Sequence, residues 1–321
     1  MSGAAPRDDG FAHRPVLVDL VVELFAPVPP GVVVDATVGG GGHAEALLDA
    51  HPHVSVVGLD QDPDAIEAAS ERLHRFGERA TVRHSRFDEL RALLGELGHR
   101  TASGALFDLG VSSPQFDRPE RGFSYRMPGP LDMRMDPGRP VSAADLVNGA
   151  PESELARLLQ AYGDERYARR ISAAIVAARP ITSTEQLVDV VRDAVPAPAR
   201  RHGGHPARRT FQAIRIAVND ELAILPASLD DAIDVLVPGG RCVALAYHSG
   251  EDRIVKDRFR HAATGGWTGP SHLPTPPDVR PTVRLLRRGA WRPPANEIAA
   301  NPRAEAARLR AVEKLALLEV A

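Results

Sequence analysis

The stretch VVVDATVGGGGHAEALL, Val32 to Leu48, decides the fold. Val32 to Val34 lead into Asp35 and read as a buried strand that ends in an acid. Four consecutive glycines follow, Gly39 to Gly42, and Ala44 to Ala50 then reads as a helix. A strand that passes through glycines into a helix is a binding place for a charged or nucleotide-like ligand. Glycine lets backbone N–H groups approach a ligand closely, and the helix N-terminus adds the positive end of its dipole.

Working outward, strands and helices alternate. Between Pro15 and Phe25, the residues Val16, Leu17, Leu20, Val21 and Leu24 recur at helical spacing, and Pro27, Pro29 and Pro30 stop that helix. HVSVVGLD, His53 to Asp60, is a second buried strand ending in an acid, and Asp64–Phe76 reads as a helix behind Pro63. Thr81–His84 is a short third strand, Phe87–Leu97 a helix, and GALFDL, Gly104 to Leu109, a fourth strand. This alternation predicts an α/β fold with a doubly wound, mostly parallel sheet.

The pattern then changes. Gly110 to Pro140 is rich in Gly, Pro, Asp, Arg and Met with little periodicity, and loops that long are usually functional. Ala143 to Val195 is helical in pattern, and Arg200 to Arg209 is a basic, glycine-bearing loop. A helix over Thr210–Leu225 is expected to return the chain to the sheet, where Cys242–Tyr247 forms a fifth strand. Asn301 and Pro302 suit the N-cap and first position of a last helix. The expected organisation is a disordered leader over residues 1–12, a core over 13–114 and 211–321, and a helical insertion over 115–210 for substrate recognition.

Composition sets the outer bounds. With 321 residues, 43% of them hydrophobic and 25% charged, the chain can bury a sizeable core. Cys242 is its one cysteine, which excludes an intramolecular disulfide and points to a reducing, cytoplasmic setting. No apolar run approaches the roughly 18 residues a membrane helix needs. A net charge of −3 gives no bulk signal for nucleic acid. Of 39 basic residues only Lys256 and Lys314 are lysine, so a coding bias accounts for any single arginine. The histidine pair His202–His205 lacks further ligands, and no metal is expected.

The glycine loop carries the first chemistry. A phosphate-cleaving loop ends in Gly-Lys-Ser/Thr, whereas this one reads Gly42-His43-Ala44. A dinucleotide fingerprint can be laid on Gly39, Gly41 and Ala44, but four glycines in a row satisfy many patterns. Asp35 tips the balance, since a carboxylate there repels a pyrophosphate and suits a cationic amino-acid group. S-adenosylmethionine carries an α-ammonium and a sulfonium and no phosphate. Asp60, at the end of the second strand, falls where ribose hydroxyls are read in both cofactor classes. An NAD-dependent oxidoreductase therefore stands as an alternative at this point. Phe87 can stack on an adenine or pack as plain core. Asp108, closing the fourth strand, can face a reacting centre or cap a turn at Ser112 or Ser113.

Seven further segments occur in order: DLGVSSPQFD, RGFSYR, GPLDMRMD (Gly129 to Asp136), HPARRTFQAIRI (His205 to Ile216), LVPGGR, HSGEDRIVK (His248 to Lys256) and NPRAEAARLRAVEK (Asn301 to Lys314). Together they resemble the bacterial ribosomal RNA small subunit methyltransferase H family, over about residues 11 to 315. The resemblance implies a class I, Rossmann-like S-adenosylmethionine-dependent methyltransferase with an inserted helical domain. It implies methylation of N4 of one cytidine in the decoding region of 16S rRNA, a partner met as naked rRNA or within the small ribosomal subunit. The cofactor contacts it implies fall on Gly41, Gly42, His43, Asp60, Phe87, Asp108 and Gln115. For Phe87 this favours stacking. One departure is Gly250, where the family usually has a bulkier apolar residue.

A cytosine amine is a poor nucleophile because its lone pair is delocalised into the ring, so an acceptor on its N–H assists attack. The usual Asp/Asn/Ser-Pro-Pro-aromatic motif of amino-group methyltransferases is not reproduced; Ser112-Ser113-Pro114-Gln115 stands farther along the loop. Placement at strand ends and in the insertion loop nominates Asp108 or a carbonyl in Leu109–Pro114 to orient the amine, with His248 or Asp132 assisting. His248 reads equally as a satisfied histidine at a strand end. For RNA, Arg200, Arg201, Arg208 and Arg209 cluster beside Phe211, in a pattern suited to phosphates and unpaired bases. A second cluster, Arg284, Arg287, Arg288 and Arg292 around Trp291, is open between RNA contact and solvated arginine. A non-catalytic RNA- or ribosome-binding protein on the same fold is the remaining alternative.

Overall fold

The computed structural model describes residues 14–200, 204–267 and 279–316. The expected leader and Arg201 lie outside them. Along the chain, α1 (Val18–Phe25) precedes β1 (Gly31–Asp35), α2 (Gly42–Ala50), β2 (Val54–Asp60), α3 (Pro63–Leu73), β3 (Ala80–His84), α4 (Leu90–Glu96) and β4 (Ala102–Asp108). A helical stretch follows with α5 (Ser113–Asp117), α6 (Ala143–Gly149), α7 (Glu152–Gly163), α8 (Ala168–Ala177), α9 (Thr184–Ala194), α10 (Ala197–Arg200) and α11 (Arg208–Asn219). The chain closes with α12 (Glu221–Val235), β5 (Leu236–Ala246), α13 (Ser249–Thr264), β6 (Val283–Leu285), α14 (Ala295–Ala300) and β7 (Arg308–Lys314).

The seven strands lie in the order β3-β2-β1-β4-β5-β7-β6. Strands β1 to β5 pair in parallel, and β7 runs antiparallel to both β5 and β6. Strand order reverses between β1 and β4, and a ligand crevice belongs at the carboxyl ends there. This is the doubly wound α/β sheet that the alternation predicts. The valines of β1 are buried on both faces, as a central parallel strand requires.

The chain divides into two compact units, one of Arg14–Gly110 with the chain from Leu222 onward, the other Val111–Glu221. Each has its own core. Phe25, Leu47, Leu106 and Leu245 are among the buried residues of the sheet unit; Met133, Ile171, Leu187 and Ile214 are among those of the helical unit. Burying one such side chain contributes roughly 1.5–3 kcal/mol. In the helical unit Ser142 and Ser183 cap α6 and α9, each accepting a backbone N–H three residues on.

Three sequence expectations change. The single helix over Thr210–Leu225 is instead two, broken at Asp220, whose φ is +56°. Helix α11 packs in the helical unit, so that unit spans 111–221 rather than 115–210. The last helix is only a 3₁₀ turn, Pro302–Ala306, capped by Asn301 as expected. Beyond it, Arg308–Lys314 forms β7 against β5. Helix-favouring residues there yield to pairing. Leu309 and Ala311 are buried on one face, while Arg308 and Arg310 on the other both reach Asp252 on α13. The reading over Gly110–Pro140 as loop misses α5 and a 3₁₀ turn at Pro119–Arg121.

Candidate active site

Strands β1, β2 and β4 each end on an aspartate: Asp35, Asp60 and Asp108. The glycine turn joins them. Gly39 N donates to Asp60 Oδ2 at 2.9 Å, and Val38 N donates to the carbonyl of Leu59 at 2.7 Å. Thr37 Oγ1 accepts the N–H of Asp108 at 2.6 Å. Gly39 and Gly41 have φ of +49° and +80°, and a Cβ on Gly41 would stand 3.3 Å from the Ala69 backbone of α3. Gly58 is needed for a different reason: a Cβ there would lie 2.7 Å from Val38 Cγ2, so its absence lets the turn settle on β2.

Asp35 is 1% exposed. Its Oδ1 accepts a long bond from Thr37 N at 3.4 Å, and its Oδ2 has no hydrogen-bond partner. Burial pushes its carboxyl up to about 7, with neighbouring Asp108 and Asp60 adding to the rise and His43 opposing it. Burial likewise pushes Asp60 up to about 6, against the hydrogen bonds it accepts from Asp62 N and Gly39 N. His43, in the first turn of α2, is buried, and both ring nitrogens lack a hydrogen-bond partner. Its Nε2 stands 3.5 Å from Asp108 Oδ2. Buried polar atoms left open in this way are the mark of a ligand site.

Asp108 also accepts a hydrogen bond from the Tyr247 hydroxyl to Oδ1, at 2.7 Å. Sequence reasoning passed over Tyr247 and Thr37. The signal for Tyr247 was its place at the end of β5, beside β4. Burial and the Asp108 charge raise the Tyr247 hydroxyl well above its ordinary value, which keeps it a donor. Glu251, 2% exposed, accepts from the backbone N–H of Tyr247 at 2.7 Å and of His248 at 3.2 Å, fixing this corner. A cleft of about 170 Å³ beyond Tyr247 is lined by His248, Ser249, Arg292 and Arg308 among others, and not by the glycine turn.

Other nominated residues fall differently. His248 caps α13: its Nδ1 accepts from Gly250 N at 3.2 Å and Glu251 N at 3.4 Å, and its Nε2 lies 3.1 Å from Glu251 Oε1. Its Nδ1 is thus taken up by the cap, while the buried Nε2 makes no hydrogen bond among the described residues, and a Cβ on Gly250 would come within 3.1 Å of the His248 ring. Phe87 is buried and meets Phe107 edge to face at 5.9 Å, the packing role left open by its position. Gln115 and Asp132 lie in the helical unit. Gln115 Oε1 accepts from Ser112 N at 3.0 Å. Asp132 holds Arg134 through both carboxylate oxygens, at 2.9 and 2.7 Å. Arg208 and Arg209 are exposed in the first turn of α11, and Arg209 donates to the carbonyl of Asp164 at 3.0 Å. Arg200 ends α10. In the second basic cluster, Arg284 pairs with Glu313 at 2.7 Å and Arg287 lies 5.6 Å from the Trp291 ring.

The sequence profile of the MraW methylase family matches residues 10–315. The chain belongs to the MraW methylase family. Its relatives include a protein named ribosomal RNA small subunit methyltransferase H from Acidothermus cellulolyticus, 55% identical over 94% of this chain and 94% of that one. Proteins of the same name from Mycobacterium avium and Thermobifida fusca are each 51% identical, covering 97% of this chain and 85% and 97% of theirs. Among solved structures, an rRNA methylase from Streptococcus thermophilus aligns at a TM-score of 0.43 and 12% identity, over 95% of this chain and all of that one, a score too low to add to the topology. Membership in a methylase family sets aside the oxidoreductase alternative. Among the described residues, no helix is long and apolar enough to cross a membrane, and no group of His, Cys, Asp or Glu is arranged to hold a metal.

Proposed function

We propose that this methylase transfers a methyl group from S-adenosylmethionine to the N4 amine of a cytidine in the decoding region of 16S rRNA, in the cytoplasm and within the small ribosomal subunit. The observation that carries it is the trio of aspartates ending β1, β2 and β4 around a glycine turn with open polar atoms. The cofactor supplies a methyl already activated by its sulfonium, so the protein's task is positioning.

The residues present suit that cofactor. Asp35, buried with an open oxygen, matches a cationic ammonium, and a carboxylate there repels a pyrophosphate. Asp60, already tied to Gly39, is the carboxylate for ribose hydroxyls. The backbone of Gly41 and Gly42 opens α2 toward the same end, with His43 beside it. Phe87 offers an aromatic surface after β3.

Asp108 is the group for the acceptor amine. One oxygen is held by Tyr247, and the other lies 3.5 Å from His43 Nε2. A hydrogen bond from the cytosine N–H to that second oxygen would localise the nitrogen lone pair and give the departing proton a destination. Arg208 and Arg209, together with Arg200 and Arg201, supply cations for the RNA backbone.

The deciding experiment incubates the protein with labelled S-adenosylmethionine and small subunits from a strain lacking this modification, followed by nucleoside mass spectrometry. N4-methylcytidine is the expected product. Label on another nucleoside, or none on either subunits or naked 16S rRNA, overturns the reading; the second result would leave a non-catalytic ribosome binder.

A further inference from the structure

The helical unit contains a tier of three aromatic rings. Phe211, on α11, is 3% exposed and forms its base. Tyr125 meets Phe211 edge to face, with centroids 6.0 Å apart and planes at 79°. His205 lies on Tyr125 in a stacked arrangement, at 4.7 Å and 26°. Tyr125 is half-buried, whereas His205 is exposed. With one face on Tyr125, the imidazole turns its other face outward.

Its setting is basic. The Arg126 guanidinium lies 5.7 Å from the Tyr125 ring centroid, and Arg208 stands three residues beyond His205 at the start of α11. Both arginines are exposed, and neither has a carboxylate partner among the described residues. His205 itself is fixed, its Nδ1 accepting from Ala207 N at 3.3 Å. Burial and the nearby Arg126 hold its pKa below the ordinary histidine value, which favours the uncharged ring.

We infer that the outward face of His205 is a stacking platform for one unstacked base of single-stranded RNA, with Arg126 and Arg208 taking the adjoining phosphates. A flat aromatic surface flanked by free cations is the recurring solution for unpaired nucleotides, because every base has a π-face and every linkage a charge. Coding bias can supply the arginines. It does not supply a histidine seated on a tyrosine between them. A ring tier that only fastens the segment around Tyr125 to α11 is distinguished by melting temperature and binding together. The inference rests on the RNA-methylating reading and adds the residues that grip the strand.

The test is fluorescence anisotropy with a labelled oligocytidine 12-mer, at several salt concentrations, on the full chain and three variants. Thermal melting and methylation of unmodified small subunits are run alongside. His205→Ala should weaken binding by about 5- to 160-fold, the range for loss of one stacked base. His205→Phe should restore it to within about threefold, since a phenyl ring stacks as well. Arg126→Ala should lower the slope of log affinity against log salt by about 0.7, the value for one single-strand phosphate contact. Unchanged binding by His205→Ala overturns the inference, as does failure of His205→Phe at an unchanged melting temperature. If wild type does not methylate the subunits, the functional reading fails instead. If it methylates them and all variants bind alike, the function stands and the platform does not.

Discussion

In the sheet unit, Asp35 and Asp60 end their strands with no arginine or lysine in ion-pair reach among the described residues, and burial drives both carboxyls upward. In the helical unit three acids are matched to arginines. Asp132 holds Arg134, Asp220 holds Arg139 at 2.5 Å, and Glu221 holds Arg215 through two bonds of 2.9 Å. Burial works against Asp132 too, yet the hydrogen bonds from Arg134 keep its carboxyl below the usual range. The contrast separates two uses of one residue type. A paired carboxylate is part of the scaffold. An unpaired buried carboxylate costs stability and is retained where a ligand completes it.

Four substitutions break or sharpen this contrast. Asp108→Asn should cause the largest change, a fall of about 10²–10⁴ in kcat, with cofactor affinity far less affected. Single-turnover methylation alongside calorimetric titration would check it, and full turnover with normal binding removes Asp108 from the chemistry. Arg215→Ala, on the paired side, leaves Glu221 buried without its cation and should cost about 3–5 kcal/mol in urea unfolding. A loss below about 1 kcal/mol would mean that the pair is solvated and the contrast weaker than drawn.

Asp35→Asn should act in opposite directions on stability and binding. The native carboxyl titrates near 7 against 3.8 in the unfolded chain, so the unfolded chain sheds its proton first. Wild type therefore loses stability as pH rises from about 4 to about 7, and the asparagine variant does not. At about pH 8 the variant should be more stable by roughly 1–3 kcal/mol, with the difference vanishing near pH 4. Affinity for S-adenosylmethionine should rise between pH 6 and 8 in wild type and stay flat in the variant; equal pH profiles would show that Asp35 does not meet the ammonium. Tyr247→Phe should give the smallest effect, about tenfold in kcat, through loss of one hydrogen bond to a charged group. Wild-type rates would show that Asp108 needs no help from β5.

Much of the sheet unit was legible because its signals are local. VVVDATVGGGGH and HVSVVGLD carry both the buried-strand pattern and the acid that ends each strand, so Asp35, Asp60 and Asp108 could be placed from the sequence. Tyr247 could not, since its bond to Asp108 joins residues far apart in the chain. Strand β7 was misread because AEAARLRAVEK is a good helix former, and only the edge of β5 gives its alternating Leu309 and Ala311 a place to go. Asp132 and His248 drew attention by position. Their partners, Arg134 two residues on for Asp132 and the backbone at the start of α13 for His248 Nδ1, were not weighed by motif reading. The helical boundary moved because Asp220 adopts a left-handed conformation that no glycine announced.

The order of the elements has a consequence in time. The helical unit is continuous in sequence, whereas β4 and its partner β5 are separated by the whole of it. On the ribosome, at about 5–20 residues per second, β4 would wait on the order of ten seconds for β5 to emerge. For that interval one edge of a buried, apolar strand is unpaired, which is the condition under which strands associate with the wrong neighbour. Chaperone dependence and yield should therefore respond more to what slows synthesis between Asp108 and Leu236 than to changes in the finished sheet.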